Sequence, residues 1–556
     1  MNDMSKRVCI IVLLAATFVF LGCHRKTEQK EHPVLPSLQI TMTSMQYDSI
    51  INNQENKIPA YALLIDSNGD TLFQGNLAHI KTRGNDSFKE SKKPFTVKFP
   101  KKQNLFGLNR SKSFTLLANA CDETHIRNAI GLDIARAFGL SASHYAYLTL
   151  YINGAYKGLY QMTNKVDVGK EALDITDLDK QNEWVNPKPI ETYQWYGLGR
   201  KKGVIQRKGV LLDHNPSDIT GGYLLDYVGP PVQYSKNMSG FVSDAEDNIR
   251  ILSPKYASPQ EVNYIANRYN EMEVAVHNAD GINPETGLHY SEYLDMESFA
   301  RYYLLNEVLF NIDGGWASFM MYKETDSIDP KLYAGPAWDY DRTLDNPRFM
   351  GNSIAFENEF TINEKKGKTG CAFSGGLLYY LCQHSDFQKA IKNVYINELS
   401  HACHDYLEKS PFDSLAALLS HEVELDNSVY STRHSEDYET GTLRAIGFLR
   451  KRIDFFDWYY STEEDERVLV CYQSENGKTR KFYYPLGEPV TAPQLERLYN
   501  HTGVYELFFP DTDSMVPDGT VFQTSQKLEL RKREPTKKEV QIRRVKKKLR
   551  KIGLDF

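Results

Sequence analysis

The sequence predicts an α+β fold, in which a β-rich first part is followed by a helical part and a short final run of strands. Three observations predict it. Hairpin patterns fill the chain up to about residue 165, apolar residues recur at helical spacing from about Pro259, and strand patterns return after residue 466. With 556 residues, 41% hydrophobic and 25% charged, the chain has a globular composition and the length for a large two-lobed domain plus an accessory module.

The first 22 residues are predicted to be a lipoprotein signal peptide. Two basic residues precede an apolar run, Val8 to Leu21, which is of signal-peptide length and short for a membrane span. The run ends in a Gly-Cys pair that resembles a bacterial lipobox, which implies cleavage before Cys23 and lipidation of its sulfur. Residues 23–36 would then form a tether, and the protein would be lipid-anchored in the bacterial cell envelope, periplasmic or at the cell surface. The alternative is an uncleaved signal anchor with an incidental cysteine.

The cysteine pattern indicates neither a disulfide framework nor a structural zinc site. The seven cysteines are scattered, without a Cys-x-x-Cys pair or a His/Cys cluster at zinc spacing. Loss of Cys9 and modification of Cys23 would leave five in an exported protein. Because five is odd, at least one thiol is expected to stay free or to pair between molecules.

The first part of the fold opens with strand and hairpin patterns. Residues 38–42 are predicted to enter the domain as a strand, and residues 60–65 and 71–74 to form a hairpin across an Asn-Gly turn, which supplies the positive φ of a tight turn. Residues 145–152 and 157–162 form a second hairpin pattern that is alternating and rich in aromatic residues. An antiparallel sheet is therefore expected in this part.

A polar turn and a strand lysine between these hairpins form a candidate phosphate cradle. The turn contains Arg83, Gly84 and Asn85, and the strand over residues 93–99 places its apolar side chains on one face and Lys98 on the other. The donors of such a turn beside a lysine can bind phosphate oxygens. An ordinary structural turn is the alternative, because Gly-Asn turns and strand lysines are common.

The first part also contains one predicted helix and one segment in which apolar residues do not recur at a regular spacing. An acidic cap at residues 122–124 is predicted to start a helix that runs to about Phe138 and stops at Gly139. Residues 176–218 are polar and aromatic without a period and are predicted to form surface loops. A strand then resumes at residues 221–227.

The periodicity becomes helical in the second part. Helices are predicted, the second with Asp295 as its N-cap, over residues 259–278, 295–312, 375–409, 412–422 and 439–459. The β-rich and helical parts are expected to join near Tyr223 to Pro259. An apolar stripe on the last helix is interpreted as core, with a ligand groove as the alternative; it comprises Leu443, Ile446, Leu449, Ile453 and Phe456.

Residues 466–530 are predicted to form a small β-domain, because short strand patterns separated by turn signals return there. The chain closes with a basic tail over residues 531–556, in which positions 531–551 hold twelve Lys or Arg against two Glu. Such a tail can contact an anionic membrane surface or nucleic acid, although export argues against nucleic acid as a partner. The structural alternative is a solvated tail that folds onto the rest of the chain, which is acidic because the total net charge is −6.

Candidate catalytic chemistry is concentrated in two turn-like stretches. Asp313 follows an apolar helix-like run and precedes two glycines, and Asp339 and Asp341 flank a tyrosine after a Gly-Pro turn. Short strands over residues 319–322 and 331–334 can form a hairpin that brings the three aspartates toward one edge. Three carboxylates there can hold a divalent cation against phosphate oxygens. Ordinary turn chemistry is the alternative, although a carboxylate at a helix C-terminus is opposed by the helix dipole at a cost of about 0.3–1 kcal/mol.

Eight short motifs occur in order along the chain. They are Thr82-Arg83-Gly84-Asn85, Lys93-Pro94-Phe95-Thr96-Val97-Lys98-Phe99, Leu117-Ala118-Asn119-Ala120 with Asp122 and Arg127-Asn128, Asn153-Gly154 through Gly158-Leu159-Tyr160, Gly221-Gly222-Tyr223-Leu224-Leu225, Asn306-Glu307, Asn311-Ile312-Asp313, and Gly335-Pro336-Ala337-Trp338-Asp339-Tyr340-Asp341. Together they resemble the CotH (spore-coat protein H) kinase family over roughly residues 37–460. The resemblance implies an atypical protein-kinase-like, two-lobed fold that binds ATP with Mg²⁺ or Mn²⁺ and phosphorylates serine or threonine of envelope or secreted proteins.

The resemblance also implies roles for individual residues. By position, Asp313 resembles the catalytic-loop aspartate, which accepts or orients the proton of the substrate hydroxyl. Asp339 resembles the metal-binding aspartate of a Trp-Asp motif, with Asp341 as a second ligand. The turn at 83–85 and Lys98 would face the phosphates.

Two positions depart from the family pattern. Asn164 stands where family members often have Glu, and Ser318 stands five residues after Asp313, where some members carry an Asn that suits a second metal. A single-metal kinase therefore stays open, and so does a catalytically silent member that acts as a scaffold or binding module of the cell envelope. A metal-dependent phosphodiesterase built from the same aspartates is a third reading, although no clustered histidines support it.

Overall fold

The first strands of the chain close a barrel. The computed structural model describes residues 34–541 apart from 85, 202–203, 229–237, 316, 351–357, 363–375, 431–436, 474–478, 490–503, 518, 535 and 539. The barrel has the strand order β1-β2-β3-β4-β5-β7-β6, with β1 (Ser37–Thr41), β2 (Ile58–Ile65), β3 (Thr71–Thr82), β4 (Phe95–Gln103), β5 (Ser111–Leu117), β6 (Tyr145–Ile152) and β7 (Ala155–Asn164). β1 pairs antiparallel with β2 and parallel with β6, which completes the cylinder. The antiparallel sheet predicted for this part is confirmed, with one parallel pair that closes it.

Both predicted hairpins of the barrel are confirmed. The β2–β3 turn contains Gly69 at φ +90°, and the β6–β7 turn contains Asn153 and Gly154 at φ +53° and +77°. Positive φ at both central residues is the requirement of a type I′ turn. Alternate residues of β4 face the barrel interior, where Val97 is fully buried. Lys98 consequently lies on the outer face, as predicted.

Short helices accompany the barrel. They are α1 (Ser44–Asn52), α2 (Asp86–Lys89) and α3 (Arg127–Ala137). The helix start predicted at residues 122–124 is wrong, because α3 begins only at Arg127. Asp122 instead pairs with the Arg127 guanidinium and accepts the Arg127 backbone N–H at 3.0 Å, so its carboxylate is used in a buried ion pair. Gly139, at φ +80°, follows the end of α3 as predicted.

A second sheet of seven strands has the order β14-β13-β10-β12-β11-β9-β8. Its strands are β8 (Trp195–Lys201), β9 (Val204–Val210), β10 (Tyr223–Tyr227), β11 (Ser239–Val242), β12 (Asn248–Ser253), β13 (Phe319–Lys323) and β14 (Leu332–Ala334). The strand predicted at 221–227 and the hairpin that became β13 and β14 are confirmed.

The loops predicted over residues 176–218 are wrong, because this segment contains helix α4 (Leu178–Val185) and the β8–β9 hairpin. β9 is held in the sheet by pairing with β11, where Arg207 lies opposite Phe241. This pairing is between distant parts of the chain and leaves no local period. Five of the seven strands of this sheet, β8 to β12, thus lie between the barrel and Pro259, before the part predicted to be helical.

Helices complete the second part. They are α5 (Pro259–His277), α6 (Met296–Val308), α7 (Pro347–Met350), α8 (Gly376–Leu381), α9 (Ser385–Val394), α10 (Ser400–Lys409), α11 (Pro411–Tyr430) and α12 (Tyr438–Ser461), with a π-helical turn at Tyr395–Leu399. The five predicted helical segments are confirmed, although 375–409 is divided among α8, α9 and α10. Asp295 caps α6 by accepting the Ser298 N–H at 2.8 Å. The stripe on α12 is buried as predicted except for Leu443, which is 67% exposed.

A five-stranded sheet follows, in the order β16-β15-β19-β17-β18. Its strands are β15 (Arg467–Gln473), β16 (Thr479–Pro485), β17 (Val504–Phe509), β18 (Ser514–Met515) and β19 (Gln526–Arg533). The strands predicted in this segment are confirmed, and they enclose a small apolar cluster that includes Val468, Phe482 and Leu528. β19 continues to Arg533, so the first residues of the predicted basic tail belong to a strand.

The two ends of the chain lie outside the described residues. This applies to the predicted signal peptide (1–22), to Cys23 and the tether as far as residue 33, and to residues 542–556. The Pro36 carbonyl, at the described end of the predicted tether, accepts the Thr149 N–H at 2.9 Å. Every cysteine in the described ranges is a free thiol within the chain. None of the helices in those ranges has both the length and the apolarity of a membrane span.

Candidate active site

Asp313 lies in a turn that follows α6. The helix ends at Val308 and not at residue 312 as predicted, so Asp313 lies beyond the helix end. Asn311 shapes the turn, because its Oδ1 accepts the Asp313 N–H at 3.1 Å and its Nδ2 donates to Asn306 Oδ1 at 2.8 Å. A Cβ on Gly314 would lie 2.6 Å from Asn306 Oδ1, so the turn requires glycine there. These residues together fix the position of Asp313.

Helix α3 holds the turn that contains the other two aspartates. Asn128 Oδ1 on α3 accepts the Tyr340 backbone N–H at 2.6 Å. The Tyr340 ring packs so closely on Gly131 that a Cβ there would lie 2.3 Å from its Cγ. Tyr340 is 1% exposed, and Asp339 beside it adopts φ +71°, a left-handed conformation that aspartate tolerates. The buried tyrosine is thus an anchor flanked by Asp339 and Asp341.

The three aspartates come together near one arginine. Arg342 Nη1 lies 3.3 Å from Asp313 Oδ2, and Arg342 Nη2 lies 3.4 Å from Asp86 Oδ2. Burial raises the pKa of Asp313 to about 6; Arg342 opposes this shift and the Asp339 charge adds to it. Burial and then the Asp339 charge raise the pKa of Asp341 well above its usual value. The carboxylates therefore repel one another, and Arg342 neutralises only part of their charge.

The turn of the predicted phosphate cradle lies near the aspartates, through its residue Arg83. Its guanidinium carbon lies 5.5 Å from the centroid of the Trp338 ring. Burial lowers the pKa of Arg83, and the neighbouring Asp339 charge opposes this change. Gly84 has φ +92°, and a Cβ there would lie 2.1 Å from a side-chain oxygen, so the turn requires glycine. Asn85 lies outside the described residues.

Lys98 lies farther from the aspartates than Arg83 does. It is opposite His79 in the β3–β4 register, and Arg83 follows His79 by four residues. At about 3.3 Å per residue, this separation is roughly 13 Å along the strand direction. Lys81 lies between them on the same face; burial lowers its pKa, and the charge of Arg83 contributes to the shift. The strand lysine nearest to Arg83 is therefore Lys81, which the sequence did not single out.

The two positions that depart from the family pattern have different surroundings. Ser318 Oγ donates to Asp339 Oδ2 at 3.0 Å, so this side chain touches a candidate metal ligand. Asn164 Nδ2 donates to the Asn109 carbonyl at 2.7 Å, and its Oδ1 accepts the Asn109 N–H at 2.9 Å. Asn164 thus secures the loop at Asn109, whereas Ser318 belongs to the site.

Sequence reasoning missed charged residues around the aspartates. Arg342 directly follows Asp341, and this adjacency was the only local signal for it. Asp226 on β10 is 3% exposed and pairs with Arg250. Burial raises the pKa of Asp226, Arg250 opposes this, and the Asp339 charge adds to it. Only the pairing of β10 with its neighbours places Asp226 at the site.

Oxygen ligands for a divalent cation are present at Asp339 and Asp341. Within the described ranges, no group of three or more His, Cys, Asp or Glu side chains has the geometry to hold a metal ion. Mg²⁺ commonly uses one or two carboxylates together with phosphate oxygens, and Mn²⁺ accepts the same kind of ligand. Two carboxylates with an excess of negative charge are therefore the kind of ligand that a divalent cation uses.

The model of the CotH kinase protein family matches residues 80–456, which is more than half of the chain. The matched segment includes Arg83, all three aspartates and Arg342. No curated protein matches the chain significantly. The match over most of its length shows that the chain belongs to the CotH kinase protein family.

Proposed function

We propose that this protein is an extracytoplasmic, lipid-anchored protein kinase that transfers the γ-phosphoryl group of ATP to serine or threonine of envelope or secreted proteins. The observation that carries the proposal is the incomplete neutralisation of Asp313, Asp339 and Asp341 near Arg342, with Arg83 beside Asp339. Membership of the CotH kinase protein family supports a kinase-like activity.

Asp339 and Asp341 would hold one Mg²⁺ or Mn²⁺ ion in the proposed reaction. When bound, the metal offsets the negative charge of the phosphate oxygens and of the carboxylates. Ser318 supports this assignment, because its hydroxyl donates to Asp339 Oδ2 and orients that carboxylate. Arg83 supplies a fixed positive charge for the phosphates, and the turn at 83–85 supplies further donors.

Asp313 is the proposed acceptor of the hydroxyl proton. In the transfer step, the serine or threonine oxygen bonds to the γ-phosphorus, the bond from that phosphorus to the β,γ-bridging oxygen breaks, and ADP leaves with the electron pair. The hydroxyl proton passes to the Asp313 carboxylate. Because burial raises the pKa of Asp313 to about 6, this carboxylate is a better proton acceptor near neutral pH than an ordinary aspartate.

The proposal also assigns the larger parts of the fold. The barrel would correspond to the N-terminal lobe of a protein-kinase-like layout, and the second sheet with its helices to the C-terminal lobe. The five-stranded sheet would be the small C-terminal β-domain. The lipobox-like Cys23 supports an anchor in the bacterial cell envelope.

The proposal is tested by phosphate transfer. The full chain in a non-ionic detergent would be incubated with γ-labelled ATP, Mg²⁺ or Mn²⁺, and a library of serine and threonine peptides. We expect the wild type to label the peptides, and Asp339→Ala and Asp313→Asn to reduce the rate by on the order of a hundredfold or more. Asp454→Asn, which removes an exposed carboxylate on α12, is the control and should leave the rate unchanged.

Two results would contradict the kinase proposal. One is the absence both of transfer and of any nucleotide-dependent rise in melting temperature. The other is ATP hydrolysis without peptide labelling, which would indicate a phosphodiesterase built on the same aspartates.

A second candidate function is a catalytically silent scaffold or binding module of the cell envelope. The observation in its favour is Ser318, whose short hydroxyl group binds Asp339 where an amide would offer a second metal ligand. A silent member would bind envelope material through surfaces such as the five-stranded sheet. It would show neither transfer nor nucleotide binding in the experiment above.

A further inference from the structure

The outer face of the barrel carries a group of cationic side chains. His79 lies opposite Lys98 on β4, and Lys81 lies opposite Thr96. Ile58 lies opposite Ile80, which places Lys57, one residue before β2, beside Lys81. Because Ile80 and Val97 are fully buried in the barrel, the residues that alternate with them face outward. We call Lys57, Lys81 and Lys98 the outer cationic patch, and His79 lies among them.

The lysines of the outer cationic patch form no ion pair in the described ranges, whereas many other lysines there are paired with a carboxylate. Glu55 is an acidic neighbour that opposes the lowering of the Lys81 pKa. Burial lowers the pKa of His79 to about 4, and the charges of Lys57, Lys98 and Lys81 add to this shift. Like charges on neighbouring strands destabilise a sheet, so the folding of the barrel does not account for this arrangement.

The patch continues into the candidate active site. His79, Lys81 and Arg83 occupy alternate positions of one chain segment, and Arg83 lies beside Asp339. Lys255, an exposed residue that precedes α5, adds its charge to the surroundings of Lys81 from the second sheet. A positively charged track therefore leads from the transfer site over roughly 13 Å of barrel surface.

This track is longer than the phosphate contacts of the transfer site require. The Asp339 charge already acts on Arg83, near the point where the phosphates would meet the metal. His79 precedes Arg83 by four residues on β3, with Lys98 of β4 opposite it. A polypeptide in extended conformation advances about 3.3 Å per residue. Side chains a few positions from an accepting hydroxyl would therefore reach Lys98.

We propose that the outer cationic patch binds an acidic segment of the protein substrate, next to the serine or threonine that accepts the phosphoryl group. This inference rests on the proposed kinase function. The chain carries a net charge of −6 although residues 531–551 hold twelve Lys or Arg against two Glu, so the rest of the chain is acidic and the patch is a local exception that would attract an acidic segment. Such complementarity selects partners and orients them during approach.

Binding is measured first without nucleotide. The full chain in non-ionic detergent would be titrated into fluorescent serine peptides flanked by glutamates, glutamines or lysines, and anisotropy would be recorded. We expect the glutamate peptide to bind most tightly, and its binding to weaken steeply with added NaCl. Lys57→Gln combined with Lys98→Gln should weaken this binding about tenfold. Lys389→Gln combined with Lys392→Gln, two exposed lysines of α9, is the charge-matched control and should not.

Kinetics then separates the patch from the nucleotide site. Lys57→Gln alone, which leaves the predicted phosphate cradle intact, should raise KM for the glutamate peptide and leave kcat and KM for ATP unchanged. Equal binding of the three peptides, or a rise in KM for ATP alone, would overturn the proposal; the second result would assign the patch to the nucleotide. Selective binding without phosphate transfer would reject the kinase and support the acidic-segment site. Transfer without charge preference would reject only the site.

Discussion

The buried carboxylate of Asp426 and the buried carboxylates of the candidate active site differ in how far their negative charge is neutralised. We call Asp426 with its partners the neutralised group, and Asp313, Asp339 and Asp341 the under-neutralised group. Asp426 on α11 lies 2.7 Å from Lys92 Nζ, accepts the Leu159 N–H at 2.8 Å, and has His125 Nε2 at 3.4 Å. Burial alone would raise the pKa of Asp426, but Lys92 and His125 hold it well below its usual range. This carboxylate is fully provided with partners from the barrel side of the molecule.

The candidate active site shows the opposite condition. Asp313 and Asp341 have raised pKa values, caused first by burial and reinforced by the charge of Asp339. Arg342 lies 3.3 Å from Asp313, and it opposes both shifts without reversing them. The group therefore keeps a net negative charge that a further cation could neutralise.

The difference separates a structural role from a functional one. Asp426 fastens α11 to the barrel, and a Cβ on Gly158 would lie 2.2 Å from its Oδ1, which shows how closely the two surfaces meet. A pair of this kind needs nothing from outside the protein. Asp313 and Asp341 are raised in pKa by burial and by the charge of Asp339, and under the proposed function a metal–nucleotide complex would neutralise these carboxylates.

The largest expected effect comes from breaking the neutralised group. Asp426→Asn leaves the Lys92 ammonium buried without a counter-charge, since Lys92 is only 1% exposed. Removal of one partner of a buried pair costs about 3–5 kcal/mol, and we expect the free energy of unfolding in urea to fall by that amount. The double variant Lys92→Met/Asp426→Leu is the control and should recover part of the loss. A loss below about 1 kcal/mol in the single variant would contradict the structural role.

The next largest effect is expected in how the stability of the protein depends on pH, because the pKa of Asp313 is raised whereas that of Asp426 is lowered. The pKa of Asp313 is raised to about 6 in the folded protein, above the unfolded value of about 3.9. Its contribution to stability is therefore fully present below about pH 4 and is lost as the pH rises through about 6, by up to about 3 kcal/mol. We expect the metal-free wild type to lose more stability over this interval than Asp313→Asn. Parallel pH profiles for the two proteins would show that Asp313 has an ordinary pKa.

A neutral isostere within the under-neutralised group should stabilise the protein. Asp341→Asn removes one of the repelling charges, and we expect the free energy of unfolding without metal to rise by about 0.5–2 kcal/mol. The same variant should lose the stabilisation that Mn²⁺ gives the wild type. Destabilisation by Asp341→Asn would indicate that this carboxylate has a partner of its own, as Asp426 does.

The smallest effect is expected at Ser318. Its hydroxyl donates to Asp339 Oδ2, and Ser318→Ala should cost about 1 kcal/mol of transition-state stabilisation, or about a fivefold loss in kcat/KM. Ser318→Asn is the informative companion, because the φ of +54° at this position suits asparagine. We expect it to retain activity and to bind Mn²⁺ at least as tightly as serine does. A larger loss with asparagine than with alanine would contradict this role.

Local patterns predicted the elements that local chemistry controls. The two barrel hairpins follow from their turn residues, and α6 follows from Asp295 as its cap. The acidic stretch before α3 misled the prediction of where the helix begins, because Asp122 binds both the guanidinium and the backbone N–H of Arg127, five residues farther along the chain.

The assembly of the site could not be predicted in this way. Asn128 and Tyr340 are 212 positions apart, and Arg342 and Asp86 are 256 apart. Contacts over such separations depend on how the barrel and the second sheet pack, which no periodicity records. The aspartates themselves were identified from their motifs, whereas Arg342 and Asp226 became visible only through this packing.

The central claim is that the under-neutralised carboxylates receive a metal–nucleotide complex, and Mn²⁺ electron paramagnetic resonance tests it most directly. The full chain would be added to a preformed complex of Mn²⁺ with a non-hydrolysable ATP analogue, and the change from the spectrum of that complex alone would be followed for the wild type, Asp339→Asn and the exposed control Asp454→Asn. We expect the spectrum to change with the wild type and the control, and not with Asp339→Asn. The same change with all three proteins, or with none, would contradict the claim.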